Sequence, residues 1–262
     1  MLNSRKVARQ SFAEAARLRL IPSNPFDLVK PPRAQRVNPG RALSPADAKA
    51  LIVAAQQLRL GPAITLLFCQ GWRVSEVLGL AWEDVDLNAG TAHIRRGAAY
   101  TSSTGTALGP TKTSSVRGVH FLAPVSVEHL RQRRNKQDEE RQRFGGQWPT
   151  HSYGGEELSM VFTTAGGQLT SRQTLLQAIQ RVARSAGIDP IGLGTHSGRR
   201  TVITALYADG KVDLADIARH VGHSDTATTA EYVKRLGNRP IDTARRAAQL
   251  LDPTFGIMST NP

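Results

Sequence analysis

Residues 195–233 read THSGRRTVITALYADGKVDLADIARHVGHSDTATTAEYV, and four side chains in them suggest chemistry. His196 and Arg199 are three apart, so on a helix they share one face. His223 follows in a Gly-His-Ser turn, and Tyr232 comes nine residues later. Imidazole, guanidinium and phenol together can bind a phosphodiester and attack it without a metal. Each residue alone has a plainer reading: a helix-capping or buried histidine, a surface arginine, a core tyrosine. The remaining 223 of the 262 residues are then to be searched for what this stretch lacks.

The composition narrows the partner. The formal net charge is +13, which points to a polyanion, nucleic acid before membrane. Of the 34 cations, seven are lysine and 27 arginine, and arginine grips phosphate in a bidentate fork. Arginine-rich codon usage explains part of that ratio but not the net charge. Aromatics make up 5%, too few for a surface that stacks single-stranded bases. A lone cysteine, Cys69, rules out a disulfide framework and a thiolate metal site. No apolar run reaches the length of a membrane span, and the first residues lack a signal-peptide core. The expectation is a cytoplasmic protein of a bacterial cell, associated with the nucleoid and with no membrane partner.

The pattern is mainly helical. Residues 4–20 form an amphipathic, arginine-bearing helix that cannot bury its own apolar face. Five prolines and several cations over residues 21–41 predict an extended basic linker. Ser44-Pro45-Ala46-Asp47 is a helix start, with serine at the cap and proline at the first helical position. That helix is expected to reach about residue 58, followed by helices over 62–70 and 72–80. Strands are expected near 91–96, 107–111 and 116–121, the last two joined by a tight turn at 112–115. A long charged helix over 124–144 offers its polar face as a groove candidate. A loop spans 145–158, a short buried strand 159–163, and a helix 170–186 closed by Gly187. Helices over 196–209, 213–221 and 225–235 carry the opening stretch, and a last one covers 242–251.

At this point five motifs stand in order: Gly-Trp-Arg73-Val-Ser-Glu76, Lys112 in a Thr-Lys-Thr-Ser-Ser turn, His196-Ser-Gly-Arg199, Val-Gly-His223-Ser and Thr-Thr-Ala-Glu-Tyr232. In content and spacing they resemble the tyrosine recombinases, the phage-integrase family, over roughly residues 40–240. The resemblance implies an α+β, mainly helical catalytic domain with a small three-stranded antiparallel sheet. It implies site-specific cutting and rejoining of double-stranded DNA through a 3′-phosphotyrosine intermediate, with no metal or nucleotide cofactor. Tyr232 is then the nucleophile, and the ester it forms conserves the energy of the phosphodiester for rejoining. Arg73 and Arg199 clamp the non-bridging oxygens, and His223 adds a hydrogen bond to them. His196 accepts the tyrosine proton or positions the phosphate. Lys112 protonates the 5′-oxygen leaving group, and Glu76 holds Arg73. Lys112 is the sole lysine between Lys49 and Lys136.

Two positions depart from the family pattern. Gly198 stands where leucine is common before the second arginine, and Arg200 where histidine is common after it. Glycine inside a helix suggests close packing. Either Arg199 or Arg200 makes the main clamp, with the three-residue interval from His196 favouring Arg199. Arg200, Lys30, Arg33, Arg36 and Arg41 are candidate DNA contacts. Gly192-Leu-Gly194 has the wrong interval for a dinucleotide loop. His196, His220 and His223 lack the cysteine or acidic partner of a zinc site.

The expected organisation is a remnant helix of a core-DNA-binding domain over 1–22, a basic linker over 23–42 and the catalytic domain over 43–238. A C-terminal helix and tail over 239–262 is a candidate for exchange between protomers. The family's homo-tetramer on paired sites, with accessory DNA-bending or directionality proteins, is the implied assembly. The short N-terminal part predicts weaker DNA binding than in a longer form. Two other functions share these residues. One is a type IB topoisomerase-like relaxing activity, recognised by relaxation without site preference; the other is a DNA-binding regulator that does not cleave.

Overall fold

The computed structural model describes residues 2–29, 40–101, 105–111, 119–222 and 230. The chain divides into two compact units, Met1–Pro39 and Gly40–Pro262. In the first, helix α1 (Leu2–Arg17) is met by a short turn, Pro25–Asp27, that Asn24 caps. Arg9 pairs with Asp27 at 2.7 Å, Asn24 Nδ2 donates to the Arg9 carbonyl at 3.0 Å, and the Phe12 and Phe26 rings lie 5.5 Å apart. The first part of the expected linker is therefore folded back on α1. Val7, Leu18, Leu20 and Leu28 stay exposed, as a single helix with too little partner surface requires.

The second unit is built round one apolar helix. Helix α2 (Pro45–Ala55) starts where Ser44 Oγ accepts the Asp47 N–H, with Pro45 at the position that needs no donor. Helix α3 (Gly61–Gln70) carries Ile64, Leu66, Leu67 and Phe68, all buried. A helix apolar on all sides must be surrounded. It packs against α2, against α5 (Pro124–Phe144), against α6 (Arg172–Ser185) and against α7 (Ser197–Asp209). The short helix α4 (Val74–Leu78) follows it, and α8 (Leu214–Val221) packs on α7. Ser171 and Asp213 cap α6 and α8 through the N–H groups of Thr174 and Asp216.

The β structure differs from expectation in its pairing. Strands β1 (Val85–Asp86), β2 (Thr91–His93) and β5 (Val119–Phe121) form the three-stranded antiparallel sheet, in the order β1-β2-β5. Strand β4 (Gly105–Gly109) does not join it; it pairs with β3 (Gly97–Thr101) in a separate hairpin. Gly97, Ala98 and Ala99 have neither branched nor aromatic side chains, so only Tyr100 and Thr101 at its end give β3 a strand signal. A second hairpin, β6 (His151–Tyr153) and β7 (Glu156–Leu158), lies where a loop was expected. Its Gly154-Gly155 turn is a two-residue hairpin signal. The expected turn at 112–115 and the helices over 225–235 and 242–251 lie outside the described residues.

Helix α5 spends its cations on protein. Arg133 is buried, donating to the Val161 carbonyl, Glu140 and Thr163 Oγ1, each at 3.1 Å. Burial pushes its pKa down, opposed by the Glu140 carboxylate. Arg131 Nη2 donates to the Leu87 carbonyl at 3.0 Å, and Arg134 and Arg141 lie over the rings of Trp82 and Trp148. These cations help hold the hairpins and loops around the helix, while Lys136 and Arg143 stay exposed on its polar face.

Candidate active site

Arg73 is placed by the corner between α3 and α4. Helix α3 ends at Gly71, whose φ of +65° is the left-handed cap that glycine allows. A Cβ there would lie 3.2 Å from Val202 Cβ and 3.4 Å from Val221 Cγ1. The corner is therefore seated against α7 and the end of α8. Trp72, fully buried, anchors it, and Arg73 becomes the cap residue of α4.

Glu76, 1% exposed, holds Arg73 at two points. Its Oε2 accepts the Arg73 backbone N–H at 2.8 Å, and its Oε1 accepts from Arg73 Nη1 at 2.7 Å. The three-residue spacing gives this pairing directly. From the far side, Arg73 Nη2 donates to the Gly222 carbonyl at 2.5 Å. Gly222 ends α8 and is followed in sequence by His223. These contacts occupy two of the five N–H donors of a guanidinium. The remaining three give Arg73 capacity for an oxyanion while its orientation is set by protein.

Helix α7 brings the second arginine. His196 is its cap residue and is exposed. Arg199, one turn on, is 3% exposed. Between them Gly198 faces α3: a Cβ there would meet the Leu67 carbonyl oxygen at 2.4 Å. The glycine that interrupts the family pattern is therefore where the backbones of α3 and α7 meet. The start of α7 is tied down further. Ser197 Oγ accepts the Gly194 N–H at 3.0 Å, and Thr201 Oγ1 accepts the Leu43 N–H at 2.9 Å.

Arg200 points elsewhere. Its Nη1 donates to the Gly40 carbonyl at 2.7 Å, holding the start of this unit against α7. Arg41 continues that strap, with its N–H on the Gly192 carbonyl at 2.9 Å and its side chain on the Asp189 carbonyl at 3.2 Å. Of the two adjacent arginines, Arg199 is the buried one and Arg200 the tether. Arg172, which the sequence did not single out, donates from Nε to Thr195 Oγ1 at 3.1 Å, next to His196. Nothing in its spacing marks it; only the approach of the α6 start to residue 195 does. Lys112, His223, Tyr232, Lys30, Arg33 and Arg36 lie outside the described residues. Among the described residues, no three histidine, cysteine or acidic side chains are grouped to hold a metal ion, and no helix is long and apolar enough to cross a membrane.

A helical domain with small antiparallel sheets, in which one carboxylate-braced arginine meets a helix bearing His-x-x-Arg, defines the class. Residues 41–239 match the Phage integrase family, and the chain belongs to that family. It is similar to an integrase of Streptomyces ambofaciens, 28% identical over 246 residues, covering 88% of this chain and 58% of that one. It is also similar to the tyrosine recombinase XerD of Yersinia pestis, 28% identical over 229 residues, covering 86% of this chain and 67% of that one. The chain thus spans about three-fifths to two-thirds of the length of these relatives. Its fold resembles the Tn1549 transposon integrase, solved in complex with a circular intermediate DNA. The TM-score is 0.75 at 19% identity, over 95% of this chain and 78% of that one. XerA recombinase gives a TM-score of 0.55 at 22% identity, over 84% and 67%.

Proposed function

We propose that residues 43–238 are the catalytic domain of a site-specific recombinase that cleaves and rejoins double-stranded DNA through a 3′-phosphotyrosine intermediate. The observation that carries this reading is the bracing of Arg73 between Glu76 and the Gly222 carbonyl, on the corner packed against the helix of His196 and Arg199. A guanidinium held this way costs little reorganisation when charge develops on a phosphate. Tyr232 attacks the phosphorus, forming a bond to its phenolic oxygen as the bond to the 5′-oxygen breaks. Arg73 and Arg199 hold the non-bridging oxygens, with His223 donating to the same group. The tyrosine proton passes to His196, and Lys112 supplies a proton to the departing 5′-oxygen. The ester exchange conserves bond energy, so rejoining needs no nucleotide, and the charge is met by arginine, so no metal is required.

The remaining assignments follow from that chemistry. Two duplexes exchanged strand by strand call for four active sites, hence a homo-tetramer on paired sites, with residues 239–262 as the segment exchanged between copies. Accessory DNA-bending or directionality proteins belong to that assembly. The net charge of +13 suits the DNA partner. Arg41 and Arg200 serve the fold first; Lys30, Arg33 and Arg36 remain the candidates for backbone contact. The test is a nicked suicide duplex carrying a site recovered by selection for bound DNA. Wild-type protein is expected to accumulate as a covalent adduct on the 3′ side, and Tyr232→Phe to give none. An adduct that persists in Tyr232→Phe refutes the nucleophile.

A further inference from the structure

Helix α6 begins against the rule by which helices are charged. Its first residue is Arg172, and its first turn holds no acidic side chain. The start of a helix carries partial positive charge, so an acidic residue is the stabilising choice there and a cation is not. Nor is Arg172 compensated by an ion pair. Arg59, Arg73, Arg96 and Arg133 of the same unit each meet a carboxylate. Among the described residues Arg172 meets none. A charge placed against local stability marks a position held by some other requirement.

Arg172 is instead held in one pose. Its Nε donates to Thr195 Oγ1 at 3.1 Å. Thr195 is 2% exposed, so the acceptor is set by the core, while Arg172 itself is exposed. A guanidinium has five N–H donors, and this bond uses the one on Nε. No described group takes Nη1 or Nη2. Those two nitrogens form the fork that grips two phosphate oxygens. Thr195 immediately precedes His196, the exposed cap of α7, and stands four residues before Arg199. A cation anchored on Thr195 is therefore offset from Arg199 towards the start of α7.

We infer that Arg172 is a further phosphate-binding residue, taking a backbone phosphate of the DNA strand next to the one held by Arg73 and Arg199. Its anchor on Thr195 fixes that contact relative to His196, and so sets the register of the strand across the site. The inference rests on the reading of DNA as the partner. It is tested with an intact duplex carrying the selected site, by binding measured over a range of salt. Arg172→Gln should weaken binding by roughly two- to fivefold, the worth of an exposed ion pair. The slope of log affinity against log salt should become shallower by about 0.9, the counterion release of one phosphate. Arg172→Lys should restore the slope, because a point charge releases the same counterions. The Tm of Arg172→Gln should hold or rise, since relief at the helix start offsets the lost hydrogen bond.

A single neutral methylphosphonate, moved along the cleaved strand, locates the contact. At one position beside the scissile phosphate it should weaken wild-type binding by the same two- to fivefold, roughly, and leave Arg172→Gln unaffected. Thr195→Val keeps the cation and removes its anchor, so the slope should stay while the loss spreads over neighbouring positions. An unchanged slope in Arg172→Gln overturns the proposal; if Tm falls as well, Arg172 is a structural tie between α6 and Thr195. Coupling at the scissile phosphate itself, or at no position, overturns it too. Wild-type protein that binds the intact duplex but forms no adduct with the nicked one sinks the strand transfer proposed above. The salt slope then still decides whether Arg172 holds a phosphate.

Discussion

Gly198→Ala is expected to destabilise this protein although it removes a glycine from a helix interior. Helix propensity alone favours the change by about 1 kcal/mol. The new Cβ, however, would lie 2.4 Å from the Leu67 carbonyl oxygen and 2.6 Å from its carbon. To bring the first contact to 3.0 Å, α7 must retreat by about 0.6 Å. Helix α3 cannot yield instead, because Ile64, Leu66 and Leu67 are fully buried and it is packed on five helices. Nor can a backbone carbonyl rotate away as a flexible side chain would. Overpacking of this kind costs about 1–3 kcal/mol, with a rigid obstacle towards the upper end. The balance is a loss of about 1–2 kcal/mol, a fall in Tm of roughly 2–8 °C. Thermal unfolding followed by circular dichroism, with denaturant titration alongside, measures it. Because α7 carries His196 and Arg199, single-turnover cleavage should fall with stability. A Gly198→Ala protein stabilised by about 1 kcal/mol would show that propensity wins and that α3 and α7 are not in backbone contact. The leucine common at this position in the family should be tolerated less than alanine.

Three further outcomes are expected. Glu76→Gln keeps the shape of the brace but removes its charge. It should cost about 1–3 kcal/mol of stability and lower adduct formation at least tenfold, and unchanged adduct formation would remove Glu76 from the site. His129 is buried with Nδ1 2.8 Å from Thr65 Oγ1, and burial lowers its pKa, opposed by Glu128. The unfolded chain thus takes up the proton first, near pH 6.5, and stability should fall as pH drops from there towards the lower folded value. Urea titrations at pH 7.5 and 5.5 should show this loss in wild type and a smaller one in His129→Gln; equal losses would count against it. Asp213→Ala removes the cap of α8 and should cost about 1 kcal/mol, with α8 amides losing exchange protection before those of α3. Uniform loss across both helices would mean the cap acts globally.

The helices were legible where a cap or a period announced them. Ser44-Pro45, Ser171 and Asp213 each begin a helix, and the span of the long charged helix was readable from end to end. Strands were legible only where branched residues alternate. Strand β3 opens with Gly97, Ala98 and Ala99, whose backbone accepts the strand but whose side chains do not advertise it, so its pairing with β4 was not foreseen. Val85–Asp86 is too short to show a period at all. The same division runs through the site. The pairing of Arg73 with Glu76 is local, so a spacing of three reveals it. The Gly222 carbonyl on Arg73 spans 149 residues, and no local signal encodes such a contact. Gly198 was readable as a place of close approach, but not that Leu67 lies opposite.

That asymmetry explains how a single helix can organise residues so far apart. Leu67 meets Gly198 on α7, and Gly71, one turn later on α3, meets Val202 on α7 and Val221 on α8. The two contacts on α7 are four residues apart, one helical turn, so α3 and α7 touch over a full turn at closely fixed separation. Arg199 lies within that turn, and Arg73 begins two residues past Gly71. The relative placement of the two guanidiniums is therefore set by backbone packing against α3 and not by contacts between the arginines themselves. The near-complete burial of α3 makes that packing rigid.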